Sequence, residues 1–154
     1  MRTGSRFLMS LAWLGLGAAA LARAQAPPLQ TQETNQGAIV AELTECRRSE
    51  GVLSIKVRLR NPGAEAIHVH VVSGRNYDSF YVLAAGKKYF VLRDTEKAPL
   101  AVAPNLGGDV TPSVPKGGTF LWWAKYPAPP SEVKKITYVT PLGPPFDNVP
   151  ISDQ

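Results

Sequence analysis

The chain has 154 residues, is 44% hydrophobic and 19% charged, and carries a formal net charge of +5. That length holds one domain, and that composition excludes an intrinsically disordered chain and a membrane bundle. Its 13 glycines and 14 prolines speak against an all-helical fold.

Arg2 and Arg6 precede an uncharged apolar run, FLMSLAWLGLGAAAL, at residues 7–21, and Ala22-Arg23-Ala24 follows it. Basic end, apolar core and A-x-A site are the order of a secretory signal peptide at residues 1–24, with cleavage expected before Gln25. The run of about 15 residues is short of the roughly 20 that cross a bilayer. The single cysteine, Cys46, lies too far along to take a lipid at the cleavage point. The expected location is therefore periplasmic or secreted, with no stable membrane anchor after cleavage. Removing the signal takes three of the 17 basic residues and none of the 12 acidic ones, leaving a net of +2. No Lys/Arg block longer than two then remains, which excludes the basic stripe that a nucleic-acid partner requires.

One cysteine cannot close an internal disulfide, so packing alone must hold the domain. In TECRR, Cys46 stands beside Arg47 and Arg48, which could favour a thiolate. With no catalytic base near in sequence, a half-buried apolar role at a strand end is the reading adopted.

Residues 25–36, QAPPLQTQETNQ, are polar and read as a flexible or extended leader. The domain proper is expected over 37–154. Ile39, Ala41 and Leu43 alternate with Val40, Glu42 and Thr44, and a turn at Glu50-Gly51 follows. Leu53, Ile55, Val57 and Leu59 then alternate with Ser54, Lys56, Arg58 and Arg60. Period two predicts a strand with the first set buried and the second wet. Asn61-Pro62-Gly63 is a turn, and Ile67, Val69 and Val71 alternate with His68 and His70. Ser79–Leu83 and Lys88–Leu92 flank a glycine turn as a hairpin. Strands are also expected at Thr119–Lys125 and Val133–Val139, and the proline-containing tail GPPFDNVPI should run extended along an edge. Eleven prolines between Pro99 and Pro150 leave no window for a useful helix. About seven to eight short strands with turns every 8 to 12 residues predict an antiparallel β-sandwich.

The pieces VLSIKVRLRNPG, FYVLAAGKKYFVLRD, VPKGGTFLWWAKYPAPPSEVKKITYV and PPFDNVPI, in that order, resemble the small immunoglobulin-like domains of secreted bacterial proteins and surface antigens. The resemblance covers most of the chain after the leader. It implies an immunoglobulin-like β-sandwich without a shared active site or cofactor, of a kind that usually serves as a binding or accessory module.

Chemistry-bearing residues are few. His68 and His70, at i and i+2 on a strand, share a face and could offer two ligands to a metal, with Asp78 or Glu65 as possible thirds. If residues 61–65 make a hairpin, Arg58 lies opposite His68 and Lys56 opposite His70, and those cations oppose a metal. If the turn crosses between sheets, that pairing does not exist. No nucleophile elbow, phosphate-cradling loop or zinc-protease motif is present, and Asp94 and Glu96 read as a solvated turn. No enzymatic activity and no cofactor are expected. The adjacent Trp122 and Trp123 face opposite ways: one belongs in the core, the other under the Tyr126–Pro130 stretch or at the surface. Trp122, Trp123 and Tyr126 are candidate binding residues, and the loop residues Arg75 and Tyr77 a second candidate contact. The favoured function is an exported non-catalytic binding or accessory module for a protein or cell-envelope partner. The alternative is a periplasmic metal or small-molecule binder using His68 and His70.

Overall fold

The computed structural model describes residues 26–154. The expected signal peptide and its cleavage site lie outside the described residues. The fold is all-β, and all but one of its strand pairs are antiparallel. The strands are β1 Gln30–Glu33, β2 Val40–Ser49, β3 Val52–Arg60, β4 Ile67–His68, β5 Tyr81–Ala84, β6 Lys87–Phe90, β7 Ser113–Val114, β8 Thr119–Pro127, β9 Lys135–Val139, β10 Phe146–Pro150 and β11 Ser152–Asp153. One sheet has the order β1-β2-β3-β8, with β11 parallel to β2, and the second has the order β10-β9-β5-β6. A short β4–β7 pair completes the set, and a single 3₁₀ turn at Tyr77–Ser79 is the only helical segment among the described residues.

The alternation in β3 does what the sequence requires. Leu53, Ile55, Val57 and Leu59 are buried, and Trp122, Ala124 and Tyr126 of β8 continue that inner face. Opposite them stand Val82 of β5, Ile136 and Tyr138 of β9, and Phe146 of β10. Phe80 stacks on Trp122 with ring centroids 4.2 Å apart. Trp122 Nε1 donates to Tyr138 Oη at 2.9 Å, and the hydroxyls of Tyr126 and Tyr138 share a hydrogen bond at 3.0 Å. These bonds tie the two sheets together through the core, where an unpaired donor would be costly.

Several sequence expectations are corrected. Eleven strands form rather than seven or eight, because short pairs and the two termini contribute. Residues 30–33 are not a free leader: they pair with β2 from Gln30↔Leu43 to Glu33↔Val40. The Gln30 and Gln32 side chains also donate to the carbonyls of Asp147 on β10 and of Pro145 just before it. A polar segment thus makes a strand through its main chain and amide side chains, which hydrophobic periodicity does not register.

Only Ile67–His68 of the stretch 67–71 is a strand, and it pairs with β7, not with β3. The cause is Asn61, which is fully buried. Its Nδ2 donates to the carbonyls of Glu65 and Val114, and its Oδ1 accepts from Gly63 N. The turn therefore leaves the first sheet, and the Arg58–His68 and Lys56–His70 pairings do not form. The β5–β6 hairpin closes through two residues, Ala85 (φ 48°) and Gly86 (φ 72°), not four. Both sit in the left-handed region, as a type I′ turn needs.

The tail runs along edges as expected, and Arg48 holds its end. That guanidinium is buried, donates to both carboxylate oxygens of Asp153 at 2.7 and 3.1 Å, and donates to the carbonyls of Pro129, Pro130, Ser131 and Val133. One side chain thereby fixes both the proline-rich loop and β11.

Candidate binding face

The outer face of the first sheet is a ladder set by the β2–β3–β8 register. Its rows read Val40–Arg60–Thr119, Glu42–Arg58–Leu121, Glu45–Lys56–Trp123 and Arg47–Ser54–Lys125. A bulge between Leu43 and Glu45 restores the parity that keeps Glu45 on this face. Five cations stand here against two carboxylates. Arg58 Nε and Arg60 Nε meet the two oxygens of Glu42 at 2.6 and 2.8 Å, and Lys56 Nζ meets Glu45 Oε2 at 2.9 Å. Burial alone would raise the Glu42 carboxyl. Hydrogen bonds from Arg60 and Arg58 outweigh it and hold the group below its ordinary value. Lys56, Arg58 and Arg60 are half-buried by this network rather than fully wet.

Two large apolar side chains remain in the open among these charges. Leu121 is 48% exposed and Trp123 37%. Beside Trp123 lies a hollow of about 220 Å³ lined by Glu45, Arg47, Lys56, Lys125 and the sheet floor. No proline lines this hollow, and the carbonyls of Pro129 and Pro130 in the proline-rich loop are bound by Arg48. Glu45 Oε1 and Arg47 Nε, 3.9 Å apart, have no hydrogen-bond partner among the described residues. A second hollow runs from Leu121 and Thr119 to Thr44, Arg58 and Ala26.

The other candidate residues fall elsewhere. Trp122 fills the core, as one of the pair was expected to do. Tyr126 and Tyr77 are also buried, which corrects their reading as contact residues. Tyr126 occupies an inward position of β8, and Tyr77 Oη donates to the carbonyl of Val102 at 2.7 Å. Arg75 is exposed and, with Arg93, Lys97, Pro104 and Leu106, lines a cleft of about 470 Å³. Of its cations, Arg93 meets Asp78 at 3.4 Å.

His68 and His70 are both exposed, His68 opposite Ser113 and His70 with its backbone N–H on Gln36 Oε1. Among the described residues no three or more His, Cys, Asp or Glu side chains are grouped to hold a metal. Cys46 is buried inside β2 rather than half-buried at a strand end. Burial pushes its thiol up to about 12, against the smaller pull of Arg48, so a reactive thiolate is not available.

The sequence reading missed Arg48 as a structural cation and missed the Glu42–Arg58–Arg60 bridge. The bulge between Leu43 and Glu45 turns Cys46 and Arg48 inward, against the parity of Ile39, Ala41 and Leu43, so period two points the wrong way there. The bridge depends on which strands are neighbours, which the sequence does not display. No family model, known protein or solved structure matches this chain. No helix of the described residues is long and apolar enough to cross a membrane.

Proposed function

We propose that the protein is an exported, non-catalytic binding module of immunoglobulin-like type that recognises a protein or cell-envelope partner. The face it presents is the outer surface of β2, β3 and β8. The observation that carries this reading is the exposed pair Leu121 and Trp123 set in a ladder of five cations and two carboxylates. A large exposed ring next to charge is what interface centres use, and tryptophan is prominent among residues that dominate binding energy. Leu121 and Trp123 lie on the face of β8 opposite the core residues Trp122, Ala124 and Tyr126. Around the ring stand the charged side chains of Glu45, Arg47, Lys56 and Lys125, which give a partner polar groups to meet beside it. The signal-like N-terminal order of residues supports export.

The test is cross-linking of purified protein, carrying a photoreactive group at the outer face, to envelope extracts of the source cells. A protein or envelope component should be captured by the parent and lost with Trp123→Ser, while Arg75→Ser leaves capture intact. Equal capture by the parent and Trp123→Ser would refute this face.

A further inference from the structure

We propose that the N-terminal half of β8 takes an extended segment of another protein as an added strand, with apolar alternate positions and acidic ends. This deepens the binding-face reading above and rests on it. In an antiparallel ladder the N–H and C=O of one residue point to the same side and alternate along the strand. The odd-numbered residues of β8 point away from β3. Lys125 N donates to the carbonyl of Leu100, and Lys125 O accepts from Leu92 N. Trp123 O accepts from Val102 N.

Pairing stops there for a local reason. The carbonyl of Val102, which the ladder places opposite the Trp123 N–H, accepts from Tyr77 Oη at 2.7 Å and takes no bond from that N–H. Two residues on, Pro104 has no N–H to give. Trp123 N–H and both main-chain groups of Leu121 and Thr119 thus have no partner among the described residues. They form a row of about 14 Å at strand spacing.

The other sheet edges are guarded and this one is not. β1 is a four-residue polar strand whose glutamines bind Asp147 and Pro145. β10 is preceded by Pro145, ends at Pro150 and has an irregular register between Phe146 and Val149. β6 carries Lys87 and Lys88. Lysines, prolines and bulges are the usual means of blocking an edge. Thr119 to Trp123 contains none of them, and β-forming side chains occupy every position.

Charge selects the occupant. The face behind this edge has an excess of cations, and Lys116 and Lys125 flank the row, neither in an ion pair among the described residues. A second copy of the chain would bring like-charged rows together, which destabilises an interface. An acidic strand meets opposite charge at both ends and supplies the missing hydrogen bonds, as in β-strand addition generally.

The experiment uses nitrogen-15-labelled protein and a synthetic peptide of about nine residues, alternating valine and threonine, ending in aspartate pairs. Amide shifts should concentrate at Thr119, Leu121 and Trp123. N-methylation of the peptide on one alternate set of residues should abolish binding, and on the other set should leave it intact. With Leu121→Ala, which keeps the N–H, as its control for the lost side chain, Leu121→Pro removes an outward N–H at a position where an edge strand tolerates proline. It should weaken binding about tenfold or more with the melting temperature kept. Lysine-ended peptide should bind more weakly. Absence of shifts at about 1 mM peptide, indifference to both methylation sets, or equal binding of the lysine-ended peptide would overturn the proposal. A concentration-dependent dimer broken by Leu121→Pro would replace the acidic strand with a second copy and would also overturn it. Loss of envelope capture in Trp123→Ser but not in Leu121→Pro would leave the binding face standing and remove the added strand.

Discussion

Replacing Tyr138 by phenylalanine removes one oxygen from the middle of the core. Trp122, Tyr126 and Tyr138 are all fully buried, so water cannot take over either lost bond. The Trp122 N–H, 2.9 Å from the hydroxyl it now serves, is left without an acceptor, and the Tyr126 hydroxyl loses its partner at 3.0 Å. An orphaned buried donor costs about 1–3 kcal/mol and an ordinary lost hydrogen bond about 1. Tyr138→Phe should therefore destabilise by about 2–4 kcal/mol, a large share of the roughly 5–15 kcal/mol of a domain. Tyr126→Phe leaves the tryptophan bond in place and should cost about 1 kcal/mol. The double replacement should be no worse than Tyr138→Phe alone, because the second hydroxyl is then removed rather than orphaned. Urea unfolding followed by tryptophan fluorescence measures all three. A Tyr138→Phe cost below about 1 kcal/mol, or one smaller than that of Tyr126→Phe, would show that the trio does not bridge the sheets as described. Burial raises both phenols above their ordinary value of 10.0. Their contribution to stability is therefore complete below pH 10 and is lost as pH rises beyond it. The parent should unfold more steeply in alkali than the double variant.

Val57→Asp should destabilise by about 3 kcal/mol or more, since an unpaired charge enters the core. Arg58→Asp should cost about 1–3 kcal/mol in the same urea assay, because it sets a carboxylate against the largely buried Glu42. The sequence alone, reading Arg58 as a wet side chain, gives less than about 1 for that change. Glu42 and Asp153 are both held below their ordinary values, Glu42 by Arg60 and Arg58 against burial and Asp153 chiefly by Arg48. Their stabilisation is present above the ordinary carboxylate range and is lost as pH falls through the folded-state values. The melting temperature should thus fall below about pH 4 and fall less in Glu42→Gln. Cys46 should resist a thiol reagent in the native protein and react at once in urea, as a buried thiol pushed up to about 12 requires.

What the sequence made legible was local and periodic. The faces of β3 are readable because period two survives over the whole strand, and the division of labour between Trp122 and Trp123 follows from adjacency alone. The Lys-Gly-Gly entry to β8 and the glycine hairpin are readable because their turns need particular residues. What stayed hidden depends on partners distant in sequence. Nothing in QTQE shows a strand, since its neighbours are β2 and the carbonyls of Asp147 and Pro145. Nothing in Asn61 announces that its amide will bind Val114 and carry the next strand to another pair. Tyr77 looked like a loop ring available to a ligand. It is buried because its hydroxyl belongs to Val102, across a stretch of chain that the sequence leaves without regular structure.

The hidden contacts and the candidate face are linked through that last bond. A sheet of four main strands has two lateral edges, and a folded protein must manage each. Here the short polar strand β1 manages one edge, its glutamines bound to Asp147 and Pro145. At the other edge, Leu92, Leu100 and Val102 close β8 from Lys125 back to Trp123. Beyond Trp123 the ladder meets Val102, whose carbonyl is turned to Tyr77, and then Pro104, which has no N–H to give to Leu121. The strand beyond is apolar and uncharged. The same side chains that complete the core at Tyr77 thus leave the row at β8 open. That opening coincides with the exposed Leu121 and Trp123, so main-chain and side-chain groups without partners lie together at one place on the molecule.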